Sequence, residues 1–209
     1  MSFCILIPTI NRKDLLIEAL EWYSINLPNV DKIVLDNGKQ NIDNQYLKTT
    51  IHEADENLGV SGSWNFLIKQ AISNNHTNFL VLNDDVILQK DEDSLNSIIQ
   101  NNANNDFNVC QPHCNWSSFI LNKHIYDLVG EFDEGFKKCY FEDNDYAYRM
   151  SLEGINIIHN RILNPDVYRN SMTIQKEPFL NNYIDNREYY MSKWGGLPLA
   201  ESYKTPFNK

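Results

Sequence analysis

The sequence predicts an α/β fold: a mixed, mainly parallel sheet flanked by helices, in a single domain. Three observations lead there. Short apolar runs alternate with helix-spaced patterns through the first half of the chain, which implies βαβ units. The length, 209 residues, suits one domain with a sizeable core. Neither an internal repeat nor a Gly/Pro/Ser-rich linker interrupts the chain.

Residues 3–7 form a continuous apolar run ended by Pro8, the pattern of a buried strand. Residues 12–27 place Leu15, Leu16, Ala19, Leu20 and Tyr23 on one helical face. A strand at 32–35 ends in the turn signal Asp36-Asn37-Gly38, and a short strand at 50–52 follows. Residues 62–72 read as a helix with Trp64, Leu67, Ile68 and Ala71 in step. A strand at 79–82 ends in Asn83-Asp84-Asp85; a helix at 93–99 and a strand around Val109 follow. The second half predicts a strand at 119–121, helices at 123–129 and 142–152, a strand at 155–158 and a C-terminal helix at 178–194 before Gly195-Gly196.

Hydrophobic residues at 42% and charged residues at 22% exclude a disordered or collagen-like chain. A net charge of -10 argues against sequence-independent binding to nucleic acid. No apolar run has the 18 or so residues needed to span a bilayer, and the first residues lack a signal-peptide pattern. The expectation is a cytoplasmic protein with its four cysteines reduced. Cys110-Gln-Pro-His113-Cys114 has a faint metal-site spacing, but buried thiols are the simpler reading.

Open α/β sheets bind ligands at the carboxyl ends of their strands. Here polar clusters end the first, second and fourth strands: Pro8-Thr9-Ile10-Asn11-Arg12, Asp36-Asn37-Gly38 and Asn83-Asp84-Asp85. One such cluster is usually a turn; several on one sheet edge favour a site. No GxxxxGK[ST] loop is present, and Asn57-Leu58-Gly59-Val60-Ser61-Gly62 lacks the dinucleotide spacing. Adjacent acids at a strand mouth repel unless a cation separates them. Hard divalent cations prefer oxygen ligands and can bridge to a diphosphate.

In order along the chain, six segments resemble those of family 2 glycosyltransferases with the GT-A fold. They are the first-strand motif 7–12, Val34-Leu35-Asp36-Asn37-Gly38, the segment 56–65 with Asn57, Gly62, Trp64 and Asn65, Leu82-Asn83-Asp84-Asp85-Val86, the blocks Gly130-Glu131-Phe132-Asp133-Glu134 and 141–149, and 186–196, which resembles rhamnosyltransferase-like members. The resemblance covers nearly the whole chain. It implies a nucleotide-sugar-binding half, 1–112, and an acceptor and catalytic half, 113–209. It implies Mn2+ or Mg2+ at Asp85 and Asp84, and donor contacts from Pro8, Thr9, Asn11, Arg12, Asp36, Asn57, Gly62, Trp64, Asn65, Asn83 and Asp84.

Two positions depart from the family pattern. Asn83 stands where the metal motif carries Asp, and Val167-Tyr168-Arg169 lacks the histidine of a late strand. Arg169 is therefore a candidate for the diphosphate instead, and His159 reads as structural. The catalytic base by resemblance is in the Glu142-Asp143 pair, with Asp143 preferred, Asp145 as runner-up and Glu142 orienting donor or acceptor. The implied partners are a UDP- or dTDP-sugar and a glycan or glycoconjugate acceptor. The chain can be a whole enzyme or a domain of a larger protein. Two other readings stay open: a non-catalytic nucleotide-sugar or glycan-binding module, and a nucleotidyltransferase. Trp116, Tyr140, Phe141 and Trp194 are candidates for stacking on sugar rings or for the core.

Overall fold

The computed structural model describes residues 3–101, 106–111, 116–169 and 181–209. Its strands are β1 (Phe3–Thr9), β2 (Asp31–Asp36), β3 (Thr49–Glu53), β4 (Asn78–Leu82), β5 (Val86–Ile87), β6 (Asp106–Val109), β7 (Ser118–Asn122), β8 (Asn156–His159) and β9 (Val167–Tyr168). Its longer helices are α1 (Lys13–Asn26), α2 (Gly59–Ser73), α3 (Glu92–Asn101), α4 (Lys123–Val129), α5 (Glu142–Leu152) and α6 (Tyr183–Trp194). Among the described residues no helix is long and apolar enough to cross a membrane.

Seven strands form one sheet in the order β3-β2-β1-β4-β7-β6-β8. The pairs β1/β2, β1/β4, β2/β3 and β6/β8 are parallel, and β7 runs antiparallel to both neighbours. The expected mixed, mainly parallel sheet flanked by helices is present. Cys4 to Ile7, Val34, Leu35 and the whole of β4 are buried, as strands covered on both faces must be. On α1, Leu16, Ala19, Leu20 and Tyr23 face the core, with Leu15 at its margin. On α2 the same is true of Trp64, Leu67, Ile68 and Ala71.

The register positions the site. Thr9 pairs with Asp36 and Asp36 with Glu53, while β4 lies on the other side of β1. The last residues of β1, β2 and β4 therefore share one sheet edge. A second sheet of two strands, β5 and β9, pairs Val86 with Tyr168 across about 80 residues of sequence. The C-terminal helix begins at Tyr183, inside the expected span; the expected first turn, 178–180, lies outside the described residues. So do His113 and Cys114 of the faint metal spacing, whereas Cys110 is buried.

Aromatic packing joins the two halves. Trp64 on α2 lies 4.9 Å from Phe132, which stacks at 4.0 Å on Tyr146 of α5. A smaller cluster of Phe136, Phe141, Tyr190 and Trp194 holds α6 against the loop before α5.

Candidate active site

At the end of β2 the buried Asp36 carboxylate accepts from Gly38 N at 2.9 Å, Gln40 N at 2.6 Å and Gln40 Nε2 at 3.0 Å. It thereby folds the loop after the strand. A carboxylate offers about four acceptor sites, so one remains for a ligand. A cavity of about 350 Å³ adjoins it, lined by Asp36, Asn41, Ile42, Asp43, Ile51 and Glu53 among others. Gly38 packs closely on the first-strand loop: a Cβ there would lie 3.2 Å from Asn11 N and 3.3 Å from Ile10 Cγ1. Gln40 had no signal in the sequence; nothing marks a glutamine four residues past a strand-ending aspartate.

Beside this loop, the Thr9 hydroxyl donates to Asp84 Oδ2 at 2.7 Å. Burial pushes the Asp84 carboxyl up to about 7, against the Thr9 bond and with help from the Asp85 charge. Asp85 is buried next to it, and its carbonyl accepts from Arg169 N at 2.9 Å. A like-charged pair of this kind suits a hard cation. Among the described residues no group of three or more His, Cys, Asp or Glu could hold a metal. Asp84 and Asp85 are the residues that would hold a hard divalent cation at this edge. Arg12, close enough to feel both acids, is held by Asp14 through two bonds of 3.1 Å. The Arg169 backbone lies beside Asp85, but its exposed guanidinium pairs with Glu18.

Four residues of the 56–65 segment act mainly on the protein itself. Asn57 Oδ1 accepts from Gly59 N and from Asn37 Nδ2. Gly62 is buried, and a Cβ on it would meet Leu58 Cβ at 2.9 Å. Two expectations need correcting. Trp64 is not at the donor surface: it is 3% exposed and sits among Phe119, Phe132 and Trp116. Asn65 is buried and spends its amide on Phe132 N, Phe132 O and Glu134 Oε1, stapling α2 to the loop before α5. Pro8 and Asn83 are half-buried, and Asn11 is exposed, at the same edge.

The acid cluster opening α5 divides by environment. Asp145 is fully buried and bound to Arg149 Nε at 2.9 Å, Lys193 Nζ at 2.6 Å and Trp194 Nε1 at 2.8 Å. This corrects its candidacy as a base: two cations and an indole neutralise it, and no acceptor could reach it. Lys193 also meets Asp133 at 2.6 Å. Burial alone would raise the Asp133 pKa, but Lys193 and Gly135 N hold it below the usual range. Removing one partner from a buried ionic network costs about 3 kcal/mol or more. Lys193→Met should lower unfolding free energy by about 3 kcal/mol in urea titration; a change under 1 kcal/mol would show the network to be dispensable.

Glu142 and Asp143 differ from Asp145. Burial, then the neighbouring Asp143 charge, pushes Glu142 up to about 8, and its Oε2 is buried with no hydrogen-bond partner. Asp143 is half-buried, its Oδ1 accepting from Asn144 N at 2.8 Å, and burial raises its pKa too. Of the candidate stacking rings, Phe141 and Trp194 are core, Tyr140 packs on Tyr183, and Trp116 packs in the aromatic cluster. His159 is structural, its Nδ1 lying 3.1 Å from Cys110 O.

No family model and no curated protein sequence matches this chain. Solved structures do. S. aureus TarS is similar over 77% of this chain and 35% of its own, with a TM-score of 0.59 and 15% identity. GalNAc-T7, solved with UDP, GalNAc and Mn2+, is similar over 93% of this chain and 48% of its own, with a TM-score of 0.64 and 9% identity. The chain spans less than half the length of either. The mixed seven-stranded sheet flanked by helices and these likenesses together give the chain a GT-A-like fold.

Proposed function

We propose that the chain is an inverting glycosyltransferase, of hexosyl- or rhamnosyltransferase type, dependent on Mn2+ or Mg2+. It moves a sugar from a UDP- or dTDP-sugar to a hydroxyl of a glycan or glycoconjugate. It works in the cytoplasm, alone or as a domain of a larger protein, with 1–112 binding the donor and 113–209 serving acceptor and catalysis. The observation that carries the reading is the convergence of Thr9, Asp36, Asp84 and Asp85 on one edge of a GT-A-like sheet.

Asp36 and the loop it folds form the nucleoside pocket, the free acceptor site of the carboxylate taking the N3–H of a pyrimidine. Thr9 holds Asp84 in place by its hydrogen bond. Asp85 and Asp84 would hold the divalent ion, which would supply positive charge to the leaving diphosphate. Arg12 and Arg169 stand at the same edge to meet phosphate oxygens. Asp143 takes the proton of the acceptor hydroxyl on the opposite face of the sugar.

Thermal shift with UDP, dTDP and GDP, each with and without Mn2+, tests the reading, together with release of free nucleotide from the matching sugars. UDP or dTDP should stabilise in a cation-dependent way and their sugars should turn over. Preference for GDP would overturn the nucleoside assignment. Binding without turnover across acceptors would favour the binding module. Deleting the Asp36 carboxylate removes a charged hydrogen-bond partner, worth about 1.5–3 kcal/mol. Asp36→Ala should weaken UDP binding by roughly tenfold to a hundredfold in calorimetry.

A further inference from the structure

We infer that Asn186 is a positioning residue for the proposed transfer, fixing the turn 137–141 from which Glu142 and Asp143 are presented. The inference rests on the reading of Asp143 as base. Asn186 lies on α6, 1% exposed, and its amide is fully engaged with this one turn. Oδ1 accepts from Lys137 N at 2.9 Å. Nδ2 faces the carbonyls of Lys137 at 2.9 Å, Cys139 at 2.8 Å and Tyr140 at 3.0 Å.

The turn needs such a clamp. Lys138, Tyr140 and Phe141 have φ of 60°, 84° and 71°, in the left-handed region that side chains disfavour. Phe141 is the N-cap of α5 and makes no side-chain cap bond. The direction in which α5 starts is thus set by the turn, and Glu142 and Asp143 are its first two residues.

The other side of the turn is held by the donor half. Val60 N donates to Lys138 O at 2.7 Å, and a Cβ on Gly59 would lie 3.0 Å from Lys138 N and O. The turn is therefore gripped between the first turn of α2 and the amide of Asn186. Asn186 sets where the acid pair stands relative to the donor edge without touching a substrate itself.

The test separates positioning from mere support. Binding is read with UDP and Mn2+, turnover with the UDP-sugar that releases UDP fastest. Small misplacement of a reacting group costs up to about a hundredfold in rate. Asn186→Ala should lower kcat about tenfold to a hundredfold and leave UDP affinity within about threefold. Amide exchange across 137–142 should quicken while β1 and β4 stay protected. In an Asp143→Asn background the same change should lower kcat no further, because the pair acts as a unit. A supporting role alone would weaken UDP binding alongside kcat and act equally in both backgrounds. If Asn186→Ala does not fold, Asn186→Ser is measured in the same way. Native kcat or unchanged exchange at 137–142 in the folded variant would overturn the inference alone. Native kcat in Asp143→Asn would overturn the base assignment, and this inference with it.

Discussion

Asp85→Ala should be inactive, with a turnover loss of about a thousandfold or more, and its UDP binding should no longer respond to Mn2+. Lewis-acid stabilisation of a leaving diphosphate is worth several kcal/mol, and each 1.36 kcal/mol is about tenfold in rate. Asp85 is the cleaner of the two acids to remove. Asp84 also accepts the Thr9 hydroxyl, so its loss would loosen β1. The Asp85 backbone is held independently, its carbonyl bonded to Arg169 N at the β5/β9 bridge. Deleting its side chain also removes a like charge beside Asp84, whose pKa is raised first by burial and further by that charge. Activity assayed with Mn2+, with Mg2+ and in EDTA, next to circular dichroism melting of both proteins, decides the matter. Native-like turnover by the wild type in EDTA would remove the metal from the mechanism.

The strands, most of the helices and the site edge were legible because each leaves a local mark: an apolar run, a helical period, a polar cluster where a strand stops. Where a motif and a period disagreed, the period was the better guide. Trp64 shares the helical face of Leu67, Ile68 and Ala71, and that face is core. The Asp145–Arg149 pair could be anticipated from i,i+4 spacing. The partners that disqualify Asp145 as a base, Lys193 and Trp194, are 48 and 49 residues away and left no local trace. The β5/β9 bridge failed for a related reason: two-residue strands carry no period, and their pairing exists only in three dimensions. Asn186 was hidden in the same way. It opens the 186–196 segment that carries the resemblance, but its partners are in a single turn 46 to 49 residues earlier and left no local trace.

Asp143→Asn should lower kcat by roughly 10²–10⁴-fold, the range for loss of a positioned general base, with UDP affinity nearly unchanged. The assignment follows from how α5 divides its acids. Asp145 is locked in ion pairs. Glu142 is buried, with an Oε2 that lacks a partner, and is raised to about 8, so at neutral pH it holds the proton of the pair. Asp143 is half-buried and bonded to Asn144 N at the start of a helix, whose dipole favours a carboxylate there. The two titrate as a coupled unit, and the activity profile reports that unit. Because burial raises the Asp143 pKa, the base loses its charge at a higher pH than a free aspartate would. The acid limb of kcat should therefore lie above the ordinary carboxylate range, with activity lost as pH falls through it. Glu142→Gln preserves the size and the neutral charge of the protonated side chain. It should keep kcat near native at neutral pH and leave the acid limb where it is, since burial and not a Glu142 charge raises Asp143. The measurement is the pH dependence of kcat for wild type, Asp143→Asn and Glu142→Gln at saturating donor. Loss of turnover in Glu142→Gln with near-native turnover in Asp143→Asn would exchange the two roles.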